Sequence, residues 1–193
     1  MAQQPMKNIL AFAGSNSKNS INKQLAVYAA GLLSEAKIIV VDLNDFPLPM
    51  YSIDLENNSG IPEQAHKFKE FIDQSDGIVL SLAEHNGSFT AAYKNTYDWV
   101  SRIDKNVFQH KPLFLLATSP GGRGASSVLE HASSIYSHSN KAPLVNYSLP
   151  SFHKNFDADK GIIDKELQSM FEKKLNLFKQ ILGLKSKMDD QGK

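Results

Sequence analysis

The chain has 193 residues, 41% of them hydrophobic and 21% charged, with a formal net charge of +1. That balance gives no bulk attraction to nucleic acid or to an anionic membrane, and the length suits one domain whose core needs neither disulfide nor structural metal. With no cysteine in the chain, thiolate metal sites and a cysteine nucleophile are excluded.

The first apolar run, Ile9-Leu10-Ala11-Phe12-Ala13, has only Lys7 as a charge ahead of it. It is too short and wrongly flanked for a signal peptide, and no apolar stretch approaches the length of a membrane span, so a cytoplasmic location is the expectation. The run reads as a parallel strand buried on both faces. It gives way to Gly14-Ser15-Asn16-Ser17-Lys18-Asn19-Ser20, after which Ile21, Leu25, Tyr28, Ala29 and Leu32 recur at helical spacing with Ser20 as cap. A loop joining a strand to a helix presents N–H groups and a partial positive charge to an anion. Ser15, Ser17, Ser20 and Asn22 add side-chain donors, so a phosphate is the natural guest.

A second apolar run, 38–41, is closed by Asp42, and the proline-punctuated segment Phe46-Pro47-Leu48-Pro49-Met50-Tyr51 leads into a polar stretch, 54–60. This long loop with apolar residues is expected to be contact surface. Pro62 suits the first turn of a helix carrying Ala65, Phe68, Phe71 and Ile72. A third strand, 77–82, runs into the turn Ala83-Glu84-His85-Asn86-Gly87-Ser88, followed by a helix with Phe89, Ala92, Tyr93, Thr96, Trp99, Val100 and Ile103 on its apolar side. The fourth strand, 113–117, ends in Thr118-Ser119-Pro120-Gly121-Gly122-Arg123-Gly124, ahead of a helix with Val128, Leu129, Ala132, Ile135 and Tyr136. Three glycines in four residues imply unusual dihedrals or a close approach by another group. Strand five is 143–149, residues 151–161 are irregular, and a last amphipathic helix runs from Ile163 to Leu182 before a polar tail, 185–193, expected to fray.

Five strands alternating with five helices predict a parallel sheet covered on both faces, a three-layer α/β sandwich with right-handed crossovers. The elaborated loops follow strands one, three and four. In a flavodoxin-like strand order of 2-1-3-4-5 those carboxyl ends are adjacent, around the switch point where a flavin mononucleotide can bind.

With these three loops the chain resembles the NAD(P)H-dependent FMN reductase family, which includes quinone, chromate and azo-dye reductases; the match covers about residues 7 to 182. The family's first loop usually reads Gly-Ser-x-Arg-x-x-Ser-x-Asn, and the chain has Gly14-Ser15-Asn16-Ser17-Lys18-Asn19-Ser20-Ile21-Asn22, with Ser17 in place of the arginine. Loss of a guanidinium removes a charge-assisted phosphate partner unless Lys18 or the extra hydroxyl compensates. The second loop is usually Pro-Glu-Tyr-Asn-Gly-Ser, of which Ala83-Glu84-His85-Asn86-Gly87-Ser88 keeps four; Lys94-Asn95 and Asp98-Trp99 also look like the family, and the third loop matches its Ser-Pro-Gly-Gly type.

The resemblance implies an FMN-dependent oxidoreductase that takes a hydride from NADPH or NADH and passes electrons to a small acceptor by a ping-pong scheme: a quinone, free flavin, azo compound or metal oxyanion. It implies one FMN-binding domain, 1–184, that is a homodimer or homotetramer. Ser15, Ser17, Ser20 and Asn22 would hold the phosphate. Glu84, His85, Asn86, Gly87 and Ser88, with Ser119, Pro120, Gly121, Gly122 and Gly124, would surround the ring. No side-chain nucleophile is required; His85, where the family has tyrosine, is a weak candidate for proton donation. Trp99 suits a core or interface position better than a cofactor stack, and its helix, with Tyr93 and Tyr97, joins the 46–60 loop as a candidate interface. Arg123 suits a nicotinamide phosphate, a subunit bridge or solvent equally. The six histidines show no metal-ligand spacing. The alternative is a non-enzymatic electron carrier of the flavodoxin type or a nucleotide-binding module, although the near-neutral charge and the serine-rich first loop differ from the acidic, Thr-Gly-Thr pattern of such carriers.

Overall fold

The computed structural model describes residues 6–184, so the expected fraying of 185–193 lies outside the described residues. Five parallel strands, β1 (Lys7–Gly14), β2 (Ala36–Val40), β3 (Gly77–Leu82), β6 (Leu113–Thr118) and β7 (Leu144–Leu149), form one sheet in the order β2-β1-β3-β6-β7. This is the expected 2-1-3-4-5 order counted over the long strands. The two intervening labels belong to a short ribbon, β4 (Glu84–His85) with β5 (Ser88–Phe89), and a second ribbon pairs β8 (Phe156–Asp157) with β9 (Gly161–Ile162).

Continuous apolar runs make the central strands. Both faces of β3 and β6 are buried along their whole length, whereas the edge strand β7 alternates. On one face α1 (Ile21–Gly31) and α7 (Lys165–Leu182) pack over Ile9, Ala11, Val79, Phe114 and Leu116; on the other α3 (Glu63–Asp73), α4 (Ala91–Ile103) and α5 (Ser126–Ser139) cover Leu10, Phe12, Leu80 and Leu115. Phe114 is fully buried between Phe171 and Phe178, with ring centroids at 5.9 and 5.4 Å. Burying a side chain of that size contributes about 1.5–3 kcal/mol.

The helices depart from the sequence reading in three places. Residues 46–60 are not one loop, because Ser52 caps a short helix, α2 (Ile53–Ser59), by accepting from the Leu55 amide. Residues 151–161 contain α6 (Phe152–Asn155) and most of the β8-β9 ribbon. The last helix begins at Lys165, capped by Asp164, and leaves Ile163 outside it.

The aromatic face of α4 is core and not contact surface. Tyr93 is 3% exposed and Trp99 fully buried, with the Trp99 indole N–H donating to Pro49 O at 2.8 Å. Asn95 accepts from the Tyr51 amide at 2.8 Å and donates to Pro49 O at 3.0 Å, and Arg102 donates to Glu56 at 2.9 Å. The 46–56 strap therefore covers the flank of α4 that carries Asn95, Trp99 and Arg102, while Tyr93 and Val100 pack inward in the core under the helix. Phe46 is buried beneath it, while Met50 and Ile53 remain mostly exposed.

Candidate functional site

Parallel register brings the three loops together. Gly14, the last residue of β1, stands opposite Leu82 of β3, and Leu82 stands opposite Ala117 of β6, so the loops leave the sheet side by side. They enclose a cavity of about 180 Å³. Ser15, Ser17, Ser20 and Asn22 line it from the first loop, Glu84 from the second, and Ser119 and Pro120 from the third; Asn19, Ile21, Ala83 and Thr118 complete the wall. His85, Asn86, Gly87, Ser88, Gly121, Gly122 and Gly124 are not in that wall.

Each loop is anchored by a buried polar group. Asn22, 2% exposed, accepts from the Ser81 hydroxyl at 2.8 Å and the Thr118 amide at 3.1 Å, and donates to Thr118 O at 3.1 Å. This side chain pins the start of α1 to β3 and β6, which leaves one N–H hydrogen for a ligand. Thr90, also 2% exposed, donates to Gly14 O at 2.9 Å and accepts from the Tyr93 amide, tying the first loop to the start of α4. Glu84 accepts from the Val128 amide at 3.0 Å, so its carboxylate sits at the N-terminus of α5. A carboxylate there is favoured by the helix dipole. With α5 occupied in this way, α1 is the helix start that faces the cavity with hydroxyls and no carboxylate of its own.

Ser20 caps α1 by accepting from the Lys23 amide at 3.1 Å, and its hydroxyl hydrogen stays available to donate. The Ser15 hydroxyl accepts from the Ser17 amide at 3.2 Å, and Ser17 is exposed. Lys23 reaches Asp42 at 2.6 Å. Burial alone would raise the Asp42 carboxyl, but the Lys23 ammonium and the Asn44 bonds outweigh it and hold the group below its ordinary value. Behind the loops, burial pushes both Tyr93 and Tyr136 upward; their hydroxyls meet at 2.6 Å and both stay neutral. Neither belongs to the cavity wall.

The second loop is a two-residue hairpin with Asn86 at φ 52° and Gly87 at φ 77°. Two successive positive φ values are the type I′ pattern that Asn-Gly favours. Phe89, read from sequence as helical, belongs to this ribbon as β5. The third loop is braced from behind: Ser151 and Phe152 amides donate to Gly121 O and Ser119 O at 2.9 and 3.0 Å, and the Ser148 hydroxyl donates to Gly124 O at 2.8 Å.

Its glycines fall into two kinds. At Gly124, φ is +59° and an added Cβ would lie 2.4 Å from Ser148 Oγ and 2.8 Å from Pro150 N, so the fold itself demands glycine. At Gly121 an added Cβ would meet only Ser119 Oγ at 3.8 Å, at Gly122 it would meet nothing within 4 Å, and neither has a positive φ. Among the described residues nothing accounts for glycine there, and bare backbone directly after the cavity-lining Ser119 and Pro120 suits the close approach of a flat ligand. Hydroxyls at a helix start on one side and uncovered backbone on the other fit the two ends of FMN.

Sequence reasoning missed Thr118 and Asn19 in the wall and Thr90 and Ser81 beneath it. A threonine directly after an apolar run was the available signal for Thr118; the others need the fold.

Replacing Ser20 by Ala should weaken FMN binding by about 1.5–3 kcal/mol, the scale of a hydrogen bond to a charged group, and should cost about 1 kcal/mol of stability through the lost cap. FMN titrations unchanged in both Ser17→Ala and Ser20→Ala would place the phosphate elsewhere.

Comparison with known proteins bears on the family and the fold. The family model described as NADPH-dependent FMN reductase matches residues 7–157. An NADPH:quinone oxidoreductase of Arabidopsis thaliana is 29% identical over 171 residues, covering 85% of this chain and 86% of the relative. A 2-hydroxy-1,4-benzoquinone reductase of a Burkholderia species is 36% identical over 125 residues, covering 64% and 66%. The solved structure of a flavoenzyme NAD(P)H:(acceptor) oxidoreductase from Paracoccus denitrificans superposes with a TM-score of 0.71 at 26% identity, covering 92% of this chain and 98% of that one.

Proposed function

The chain belongs to the NADPH-dependent FMN reductase family, an oxidoreductase family using FMN and a reduced nicotinamide dinucleotide, and we propose that it reduces a small quinone-type acceptor by a ping-pong scheme. The observation that carries this reading is one cavity shared by the three strand-end loops, its third-loop wall of Ser119 and Pro120 followed in the chain by Gly121 and Gly122, where an added Cβ would meet at most Ser119 Oγ at 3.8 Å. Relatives named as quinone reductases support the choice of acceptor; free flavin, azo compounds and metal oxyanions are the other acceptors to assay.

In this proposal Ser15, Ser17, Ser20 and the N-terminus of α1 hold the phosphate dianion, with the extra Ser17 hydroxyl standing where the family has its arginine; Lys18 is not in this cavity's wall. Bound FMN would supply the redox chemistry, hydride acceptance from the nicotinamide and electron release to the acceptor. The chain's own work is orientation. Backbone N–H groups of the second and third loops, which are braced by the Glu84 bond to the start of α5 and by Ser148 and Ser151, would present fixed dipoles to the negative charge that develops on a reduced flavin, with no reorganisation during the reaction. His85 is exposed and is the one side chain of the second loop suited to giving a proton to a reduced quinone.

Two-substrate kinetics test this reading. Initial rates of NAD(P)H oxidation by the FMN-loaded protein should give parallel double-reciprocal lines as quinone is varied; intersecting lines would require both substrates bound at once and overturn the ping-pong scheme. A flavodoxin-type carrier would oxidise neither dinucleotide at a useful rate.

The cytoplasm is the proposed location; among the described residues no helix is long and apolar enough to cross a membrane. We also propose that residues 1–184 act as one flavin-binding domain within a homodimer, or a dimer of dimers, each cavity being walled by the neighbour. Exposed Met50 and Ile53 support this, Met50 lining a neighbouring cavity of about 360 Å³ that shares the first loop's Asn16. Exposed apolar side chains beside a site are a common mark of an interface. Sedimentation equilibrium of the FMN-loaded protein should return twice or four times the monomer mass; an active monomer would leave Met50 and Ile53 as the tip of a lid over its own site.

A further inference from the structure

A second cavity begins where the phosphate cavity ends. Asn19 and Ser20 belong to the walls of both. On their far side a groove of about 480 Å³ runs along the outer face of α1, between Lys18, Lys23, Val27 and Tyr28 and, from the β8-β9 ribbon, Phe156.

The groove has one sign of charge and an aromatic wall. Its lining holds two lysines and no carboxylate. Lys23 is paired with Asp42, and Lys18 is exposed with no ion pair among the described residues. Tyr28 and Phe156 meet edge to face at 5.4 Å, both half-buried, so each ring keeps part of its surface open. The ribbon makes room for that arrangement: at Gly161, φ is +76° and an added Cβ would fall 2.1 Å from the Tyr28 ring. Val27 stands 42% exposed at the lip.

We propose that this groove is an adenylate subsite, with the adenine on the Tyr28 and Phe156 rings and a second phosphate at Lys18. The proposal rests on the phosphate placement given above. Two phosphates joined by one oxygen need sites that share a wall, and Asn19 and Ser20 are that shared wall. The geometry therefore favours the AMP half of FAD, continuous with the FMN phosphate, and the chain takes FAD as well as FMN. The adenylate of the nicotinamide dinucleotide is the other source of the same chemistry. An aromatic stack and a charge-assisted phosphate contact together raise affinity by at least an order of magnitude.

The full chain, carrying whatever flavin it retains, provides the test. Adenosine monophosphate at millimolar concentration should shift the NMR resonances of Val27, Tyr28 and Phe156; no shift at these residues overturns the proposal, whether or not the protein binds flavin. FAD should displace FMN from the loaded protein about tenfold more effectively than FMN exchanges with itself. Val27→Trp, which fills the lip of the groove from a solvent-exposed position, should remove that advantage while FMN affinity stays unchanged. If FAD shows no advantage and Val27→Trp instead raises the KM for NADPH severalfold on the FMN-loaded enzyme, the subsite stands and its source is the dinucleotide. If neither FAD preference nor the KM for NADPH responds to Val27→Trp, the proposal is overturned. Failure of the protein to bind FMN at all would count against the proposed function, and the monophosphate shifts would still decide the groove.

Discussion

Replacing Asn22 by Leu should lower the stability of the protein by at least about 3 kcal/mol, because three buried groups lose their partner at once. The Ser81 hydroxyl, the Thr118 amide and the Thr118 carbonyl all meet this one side chain. Each would remain buried after the substitution, since Ser81 and Thr118 are 0% and 1% exposed. Leucine has the branching and the number of side-chain heavy atoms of asparagine but bulkier methyl groups, so some overpacking adds to the lost hydrogen bonds. Asn22→Asp is the sharper variant. It keeps two acceptor positions but faces the Thr118 carbonyl with an oxygen and buries a charge, so it should be no better tolerated than Leu. Urea unfolding followed by circular dichroism measures both, and a midpoint close to wild type in either variant would mean that the three groups find water or one another.

The third loop gives the second large effect. Gly121→Val should leave the unfolding midpoint within about 1 kcal/mol of wild type and weaken FMN binding at least a hundredfold, because the new side chain stands in open space beside the cavity. Gly124→Val should do the reverse in kind. Its positive φ and contacts of 2.4–2.9 Å with Ser148, Leu149 and Pro150 impose backbone strain of about 1–3 kcal/mol and overlap of about 1–3 kcal/mol, enough to unfold much of the population. Thermal melts and FMN titrations of the two variants separate them. Equal loss of stability in both would mean that Gly121 also serves the fold.

From sequence these glycines look alike. What divides them is the end of β7, which crowds the Cα of Gly124 from 24 residues away, whereas the Ser151 amide that follows it meets only the carbonyl of Gly121 and leaves the Cα side open. Gly87, too, is a turn glycine: φ 77° at the hairpin tip makes valine costly there whatever binds nearby. The strands were legible because apolar runs of five or six residues have few other uses in a chain this polar, and Ser20 was legible as a cap because capping is a local interaction. Asn22 shows where legibility stops. Its amide reads equally well as a phosphate donor, and only the arrival of Ser81 and Thr118, 59 and 96 residues on, fixes most of its hydrogen-bonding capacity inside the protein. Glu84 is the same case, a loop acid until the N-terminus of α5 is seen against it. The aromatic face of α4 was misplaced for a related reason: helical periodicity identifies a buried side but not what buries it, and Tyr136, which meets Tyr93, and the strap around Pro49 and Tyr51, which meets Trp99 and Asn95, both lie over 40 residues away.

Anaerobic reduction tests the central claim, that one cavity built by three strand-end loops holds a flavin open to a nicotinamide donor. The FMN-loaded protein is mixed with NADPH or NADH in the absence of any acceptor, and the flavin absorbance band is followed. It should bleach fully with one equivalent of at least one dinucleotide, return on addition of a quinone, and bleach far more slowly in Gly121→Val reconstituted at saturating FMN. Protein that holds FMN in this cavity yet is bleached by neither dinucleotide would contradict the account and leave an electron carrier in its place.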